Sequence, residues 1–126
     1  MPSNEVLVEI KHLHKLFPVG GGVFTRADSF VHAVSDLNLR IMHGESVGLV
    51  GESGCGKTTT GKLLTRLIDP TEGNINLRTH EGDVVDIASL RGKALKKFRR
   101  RVQMIFQDPY ESMNQRLTIY DTVAEP

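Results

Sequence analysis

Gly51-Glu52-Ser53-Gly54-Cys55-Gly56-Lys57-Thr58 fits the pattern G-x-x-x-x-G-K-[ST], and the rest of the chain is read outward from it. A triphosphate asks for many N–H donors at close range, and backbone amides are the groups dense enough to supply them. Gly51, Gly54 and Gly56 let the main chain curl round phosphates with no Cβ in the way. Lys57 would reach the β- and γ-phosphates as a point charge, and the Thr58 hydroxyl would sit on Mg²⁺. A helix running on from Lys57 would aim its unpaired N–H groups and positive dipole end at the same anion. The flanks suit this reading. Ser46-Val47-Gly48-Leu49-Val50 reads as a short buried strand, and Leu63, Leu64, Leu67 and Ile68 recur at helical spacing until Asp69-Pro70 stops the helix. Gly20-Gly21-Gly22, by contrast, has no following Lys and no helix, and reads as an ordinary glycine-rich turn. Nucleotide binding is the expectation.

Composition sets the outer bounds. At 126 residues the chain is the size of one ordinary domain, and 39% hydrophobic residues are enough for a sizeable core. Sixteen Lys+Arg against fifteen Asp+Glu leave a formal charge of +1, so no global field draws in nucleic acid or anionic lipid. One Cys excludes an internal disulfide and fits a reducing compartment. No basic n-region with an apolar run opens the sequence, and no apolar run nears the length that spans a bilayer. A cytoplasmic protein is expected, with any membrane contact made through a partner.

In chain order, Val6, Val8 and Ile10 alternate with Leu7, Glu9 and Lys11 as a first strand running to about Leu13. Phe17 then stands at a strand end before Pro18, where an ordinary core or edge aromatic is the plainer reading and stacking on a planar ring the alternative. Residues 19–29 read as a loop. Residues 30–34 and 37–41 read as two strands separated by a Ser35-Asp36 turn, with Leu37, Leu39 and Ile41 on one face. Asp69-Pro70-Thr71-Glu72-Gly73 is turn chemistry. It is followed by a strand with Ile75 and Leu77, a short strand at Val84-Val85, and Ser89 as a cap. Residues 93–101 predict a basic helix with Ala94, Leu95 and Phe98 inward; its Lys and Arg residues read as a solvated face rather than a nucleic-acid patch, for want of interleaved aromatics. Val102-Gln103-Met104-Ile105-Phe106 predicts a strand. It ends in the polar break Gln107-Asp108-Pro109-Tyr110, where α/β proteins place ligand-binding groups. Residues 118–125 read as the start of another helix. The five His form no metal set, Cys55 counts for its amide more than its thiol, and no Ser/His/Asp arrangement is visible.

Several stretches together resemble a family. Residues 45–59, with the phosphate loop inside them, are similar to the Walker A segment of ATP-binding cassette (ABC) transporter ATPases. Phe106-Gln107-Asp108-Pro109 resembles their Q-loop. The fuller run to Asn114, Leu67-Ile68-Asp69-Pro70-Thr71-Glu72-Gly73, the glycine-rich loop after Phe17 and the closing Ala124-Glu125-Pro126 resemble the branch serving oligopeptide and dipeptide importers. The resemblance implies an α/β fold: a P-loop NTPase core with an N-terminal antiparallel β-subdomain, as an incomplete nucleotide-binding domain. It divides residues 1–126 into β-subdomain and core strands at about 1–50 and 73–85, the Walker A loop and helix at 51–68, and the Q-loop with the start of a helical subdomain at 102–126.

The roles it implies are specific. ATP would be held by Phe17 under adenine and by Gly51, Glu52, Ser53, Gly54, Cys55, Gly56, Lys57, Thr58 and Thr59 around the phosphates. Thr58 and Gln107 would meet Mg²⁺, with Gln107 sensing the γ-phosphate, and Lys57 and Gln107 would be the catalytic contributors. Residues 108–117 would meet a membrane subunit. The implied partners are membrane-spanning permease subunits, a second ATP-binding subunit in a homo- or heterodimer and, indirectly, a substrate-binding protein, with no nucleic acid. The protein would lie peripherally on the inner face of the cell membrane. The family's LSGGQ-like signature, its apolar strand ending in Asp-Glu and its switch histidine are absent from the sequence. Hydrolysis by this chain alone is therefore not expected. The competing readings are a nucleotide-binding module without turnover and another P-loop enzyme with Asp108 as the Walker B aspartate.

Overall fold

The fold is seen in a computed structural model that describes residues 5–19, 29–107, 116–118, 120 and 124. A four-stranded antiparallel sheet carries two short helices. Strand β1 (Val6–Val19) pairs with β2 (Ser29–Met42) on one side and β3 (Glu72–Arg78) on the other, and β4 (Val84–Asp86) closes the edge, giving the order β2-β1-β3-β4. Helix α1 (Lys57–Leu64) lies between β2 and β3 in sequence, and α2 (Gly92–Arg99) follows β4 after a 3₁₀ turn, Ile87–Ser89.

β1 outruns the expected end near Leu13, because its partner β2 is a single long strand rather than two. The Ser35-Asp36 turn is instead a bulge. His12 and Asp36 both take positive φ, 48° and 49°, and each is an extra residue in its own strand. The pairing thus steps from Ile10↔Leu39 through Leu13↔Leu37 to Lys15↔Val34. The His12 bulge turns Leu13 to the same face as Ile10, so both are buried despite odd spacing. Side chains lace the bulges together. His12 Nδ1 and Asp36 Oδ1 are 2.8 Å apart, the Asp36 N–H donates to His14 Nδ1 at 3.3 Å, and the His12 N–H donates to Asn38 Oδ1 at 2.9 Å. The His12 ring holds the Asp36 carboxyl below the usual carboxylate range. Opposite the bulge, Gly73 takes φ 93°, and a Cβ there would stand 2.3 Å from the His12 carbonyl oxygen.

Ile10, Leu13, Val34 and Ile75 from the sheet, Leu63 from α1, Ile87 from the 3₁₀ turn and Phe98 from α2 form one core. α2 turns Phe98 inward with Leu95 partly covered, but Ala94 is exposed, against expectation. Ala94 shares a face with Phe98 but lies one turn nearer the start of α2, and of the two only Phe98 reaches the core. Asp86, not Ser89, caps the 3₁₀ turn: its Oδ1 accepts from the Ala88 N–H at 3.0 Å, while Ser89 Oγ donates to the Asp86 carbonyl at 2.8 Å.

Two expected strands are not strands. Residues 46–50 and 102–106 have no ladder partner among the described residues. Val47, Leu49 and Val50 of the first run and Ile105 and Phe106 of the second are exposed, Val50 at 94% and Ile105 at 97%. Val102 and Met104 are half-buried, Val102 against the core. An apolar run signals a strand buried on both faces, but pairing is what makes it one. The glycine-rich loop at 20–28, Asp108, most of the 108–117 stretch and most of the 118–125 helix fall outside the described residues.

Candidate functional site

The loop at 51–56 leads into α1 with nothing capping the helix. Gly56 is its N-cap at φ 91°, no side chain bonds there, and no acidic residue stands in the first turn. The first amides of a helix have no partner within it, so this end is open to an anion. Thr60 closes the turn from below, its N–H and Oγ1 donating to the Gly56 carbonyl at 2.8 and 3.0 Å. Gly56 is required by contact as well as by its positive φ, and Gly51 lies against the Cys55 side chain. A Cβ on Gly56 would stand 2.3 Å from the Ala33 carbonyl oxygen in β2, and one on Gly51 would stand 2.5 Å from Cys55 Sγ. Gly56 thus seats the loop directly on β2.

Lys57 folds back over the loop. Its ammonium donates to the Gly51 and Glu52 carbonyls at 2.7 and 2.6 Å and stands 3.5 Å from Cys55 Sγ. The Cys55 N–H donates to the Glu52 carbonyl at 3.3 Å, tightening the same turn. The positive charge is therefore held at the mouth of the loop. Thr58 is exposed and Thr59 half-buried. A cleft of about 360 Å³ opens beside the loop, bordered by Ala33, Val34, Leu49, Cys55, Lys57 and Thr60. A second cleft of about 380 Å³, around Val6, His43, Leu77 and Arg101, contains none of the loop residues.

The remaining expected residues lie apart from this cluster. Phe17 sits near the end of β1 opposite Val31, 39% exposed, with the Lys15 ammonium 4.9 Å from its ring centroid. Gln107 is exposed at the end of the segment that follows α2. That segment runs close to α1, since Met104 Cε would lie 3.6 Å from a Cβ on Gly61. No hydrogen bond or ring contact joins Phe17 or Gln107 to the loop among the described residues, and no group of three His, Cys, Asp or Glu could hold a metal there.

Arg66 was not singled out by the sequence, yet it holds the far end of α1 in place. It is fully buried at φ 56°. Its Nε donates to the Ile87 carbonyl at 2.7 Å, Nη1 to Asp69 Oδ1 at 2.5 Å and Nη2 to the Leu90 carbonyl at 3.3 Å. Arg99 of α2 donates in turn to the Arg66 carbonyl. The Arg66 guanidinium holds the Asp69 carboxyl below its usual range. Lys15, Thr60 and Asp86 were likewise missed. Thr60 alone left a trace in the sequence, a hydroxyl in the first turn of a helix.

The family model described as ABC transporter matches residues 34–125. The chain is 45% identical, over 98% of its length, to the probable peptide ABC transporter ATP-binding protein y4tS of Sinorhizobium fredii, covering 33% of that protein. It is 46% identical, over 97%, to the oligopeptide transport ATP-binding protein OppF of Bacillus subtilis, covering 36% of it. Among solved structures, the dimeric post-hydrolysis state of the ATP-binding cassette MJ0796 bound to ADP and Pi matches with a TM-score of 0.62 and 30% identity, over 75% of this chain and 35% of that one. The chain thus spans about a third of these relatives' length. Its glycine loop seated on β2, its lysine closed over that loop and the family match over residues 34–125 together make it a member of the ABC transporter family.

Proposed function

We propose that this chain is the nucleotide-binding front of an ATP-binding subunit that energises a membrane importer of peptides or related small solutes. One observation carries the reading: a glycine-rich loop seated on β2, with Lys57 held across it, at the uncapped start of α1. The loop amides of residues 51–56 bind phosphate oxygens, and Lys57 exchanges its carbonyl partners for the β- and γ-phosphates. Thr59 adds a phosphate contact, and Phe17 is the platform for adenine. Mg²⁺ characteristically binds through one or two protein groups plus substrate phosphates, a role for Thr58 and Gln107. When bound it neutralises charge building on the phosphates. Gln107, on the segment packed beside α1, reports γ-phosphate occupancy to the residues that follow it.

The division given above into β-subdomain, Walker A unit and Q-loop unit belongs to the same reading. So do the partners: a second ATP-binding subunit, supported by the dimeric cassette structure, then permease subunits and an indirectly linked substrate-binding protein. No helix among the described residues is long and apolar enough to cross a membrane; attachment to the inner face of the membrane through permeases follows from the partners. In the intact transporter, Gln107→Ala should keep ATP affinity within about twofold while solute-stimulated hydrolysis falls at least about tenfold. Stimulated hydrolysis at the parent rate would contradict the assignment.

A further inference from the structure

Lys15 reaches two places at once. Its ammonium stands 4.9 Å from the Phe17 ring centroid, and it donates at 2.8 Å to the Asp69 carbonyl just past α1. Neighbouring bonds draw the same two pieces together. The Thr71 N–H donates to the His14 carbonyl at 2.9 Å, and the Leu16 N–H donates to Thr71 Oγ1 at 3.0 Å. The strand end bearing Phe17 is therefore laced to the turn that follows the loop-bearing helix. Of these links, the Lys15 side chain is the one that also touches the ring.

Strand alternation places Lys15 and Phe17 on one face of β1. The ring is still 39% exposed. A cation over one face of an aromatic ring is held by the ring's negative π-surface, and the opposite face is then the one a planar base can stack on. The ring would otherwise be free to turn about its side-chain torsions at the end of a strand. With Lys15 anchored at Asp69, the ring is held from one side by a group that is itself fixed to the turn between α1 and β3.

Resting on the nucleotide reading of the site given above, we propose that Lys15 is a positioning residue for the nucleotide base. It fixes the Phe17 ring as a platform and ties that platform to the turn that follows the helix starting at the phosphate loop. Lys15 acts through Phe17, so its contribution falls on base affinity and not on phosphate affinity. That separates it from a residue that merely stabilises the fold, whose loss would weaken every ligand of the site alike.

The test is calorimetric titration of the intact protein with Mg·ATP and, separately, with inorganic tripolyphosphate, which has the phosphates and no base. Lys15→Met keeps the apolar stem and removes the charge. It should weaken ATP roughly three- to tenfold and leave tripolyphosphate within about twofold, while Lys15→Arg keeps most of the ATP affinity. Phe17→Ala should weaken ATP, and in that background Lys15→Met should add nothing. Equal losses for both ligands in Lys15→Met would overturn the proposal. Unchanged ATP affinity in Lys15→Met, beside a weakened Phe17→Ala, would overturn the role of Lys15 while the site stands. ATP affinity untouched by Phe17→Ala would remove the base platform and Lys15 with it, and tripolyphosphate binding would then show whether the phosphate loop survives.

Discussion

Gly56 and Arg66 stand at the two ends of one helix and differ in how openly the sequence declares them. Gly56 is legible because its reason is local: a phosphate loop needs a residue without a Cβ there, and the Ala33 carbonyl adds a tertiary reason for the same choice. Arg66 is not legible. Within an amphipathic run an arginine reads as a solvated charge, and its burial depends on carbonyls of Ile87 and Leu90 that reach it only in the fold. The pair it forms with Asp69 makes stability depend on pH. Arg66 lowers the Asp69 pKa below its ordinary 3.8. The pair's contribution is therefore fully present above that value and is lost as pH falls through the folded-state pKa. Asp69→Asn should lower the denaturation midpoint at pH 7 and flatten the acid limb of the stability curve. A limb as steep as that of the parent, in urea melts between pH 2.5 and 7, would contradict this. The effect is small, because the Asp69 side chain is 66% exposed.

At the scale of elements, β3, the start of β1 and the start of α1 were readable. But α1 ends at Leu64, shortly before Arg66 takes positive φ, instead of running on through Leu67 and Ile68. β2 is one strand where two were expected, and two unpaired runs were misread as strands. Ile75 and Leu77 alternate and form β3; Leu37 and Leu39 share the core-facing side of β2 as their spacing requires. The bulges at His12 and Asp36 were not readable, since the positive φ of each is fixed by side-chain bonds between strands far apart in sequence. Residues 46–50 and 102–106 carry strand-like composition, but composition cannot say whether a neighbour is there to pair. The bulge makes one glycine indispensable. Gly73→Ala would drive a Cβ to 2.3 Å from the His12 carbonyl oxygen at a φ of 93°. It should cost about 1–3 kcal/mol. Chemical denaturation would show this as a lower midpoint at unchanged slope, and an unchanged midpoint would mean the bulge relaxes freely.

Across the whole molecule, the proposed site and the core draw on different parts of the chain. The sheet, α1 and α2 enclose one core, while the loop, Phe17 and Gln107 lie on its margins, where a ligand can reach them. The same margins expose Val47, Leu49, Val50, Ile105 and Phe106. Apolar surface of this kind favours association. The 126-residue polypeptide by itself should melt broadly and self-associate at micromolar concentration. A sharp two-state transition of a monomer, by calorimetry with sedimentation, would contradict that. The central claim is that Gly51 to Thr59 form a triphosphate cradle closed by Lys57, and titration of Mg·ATP into the intact protein and its Lys57→Ala variant tests it most directly. Loss of the ammonium should weaken ATP at least about tenfold while the melting profile without nucleotide stays the same. Equal affinity in the two proteins would mean that the loop is not where the phosphates bind.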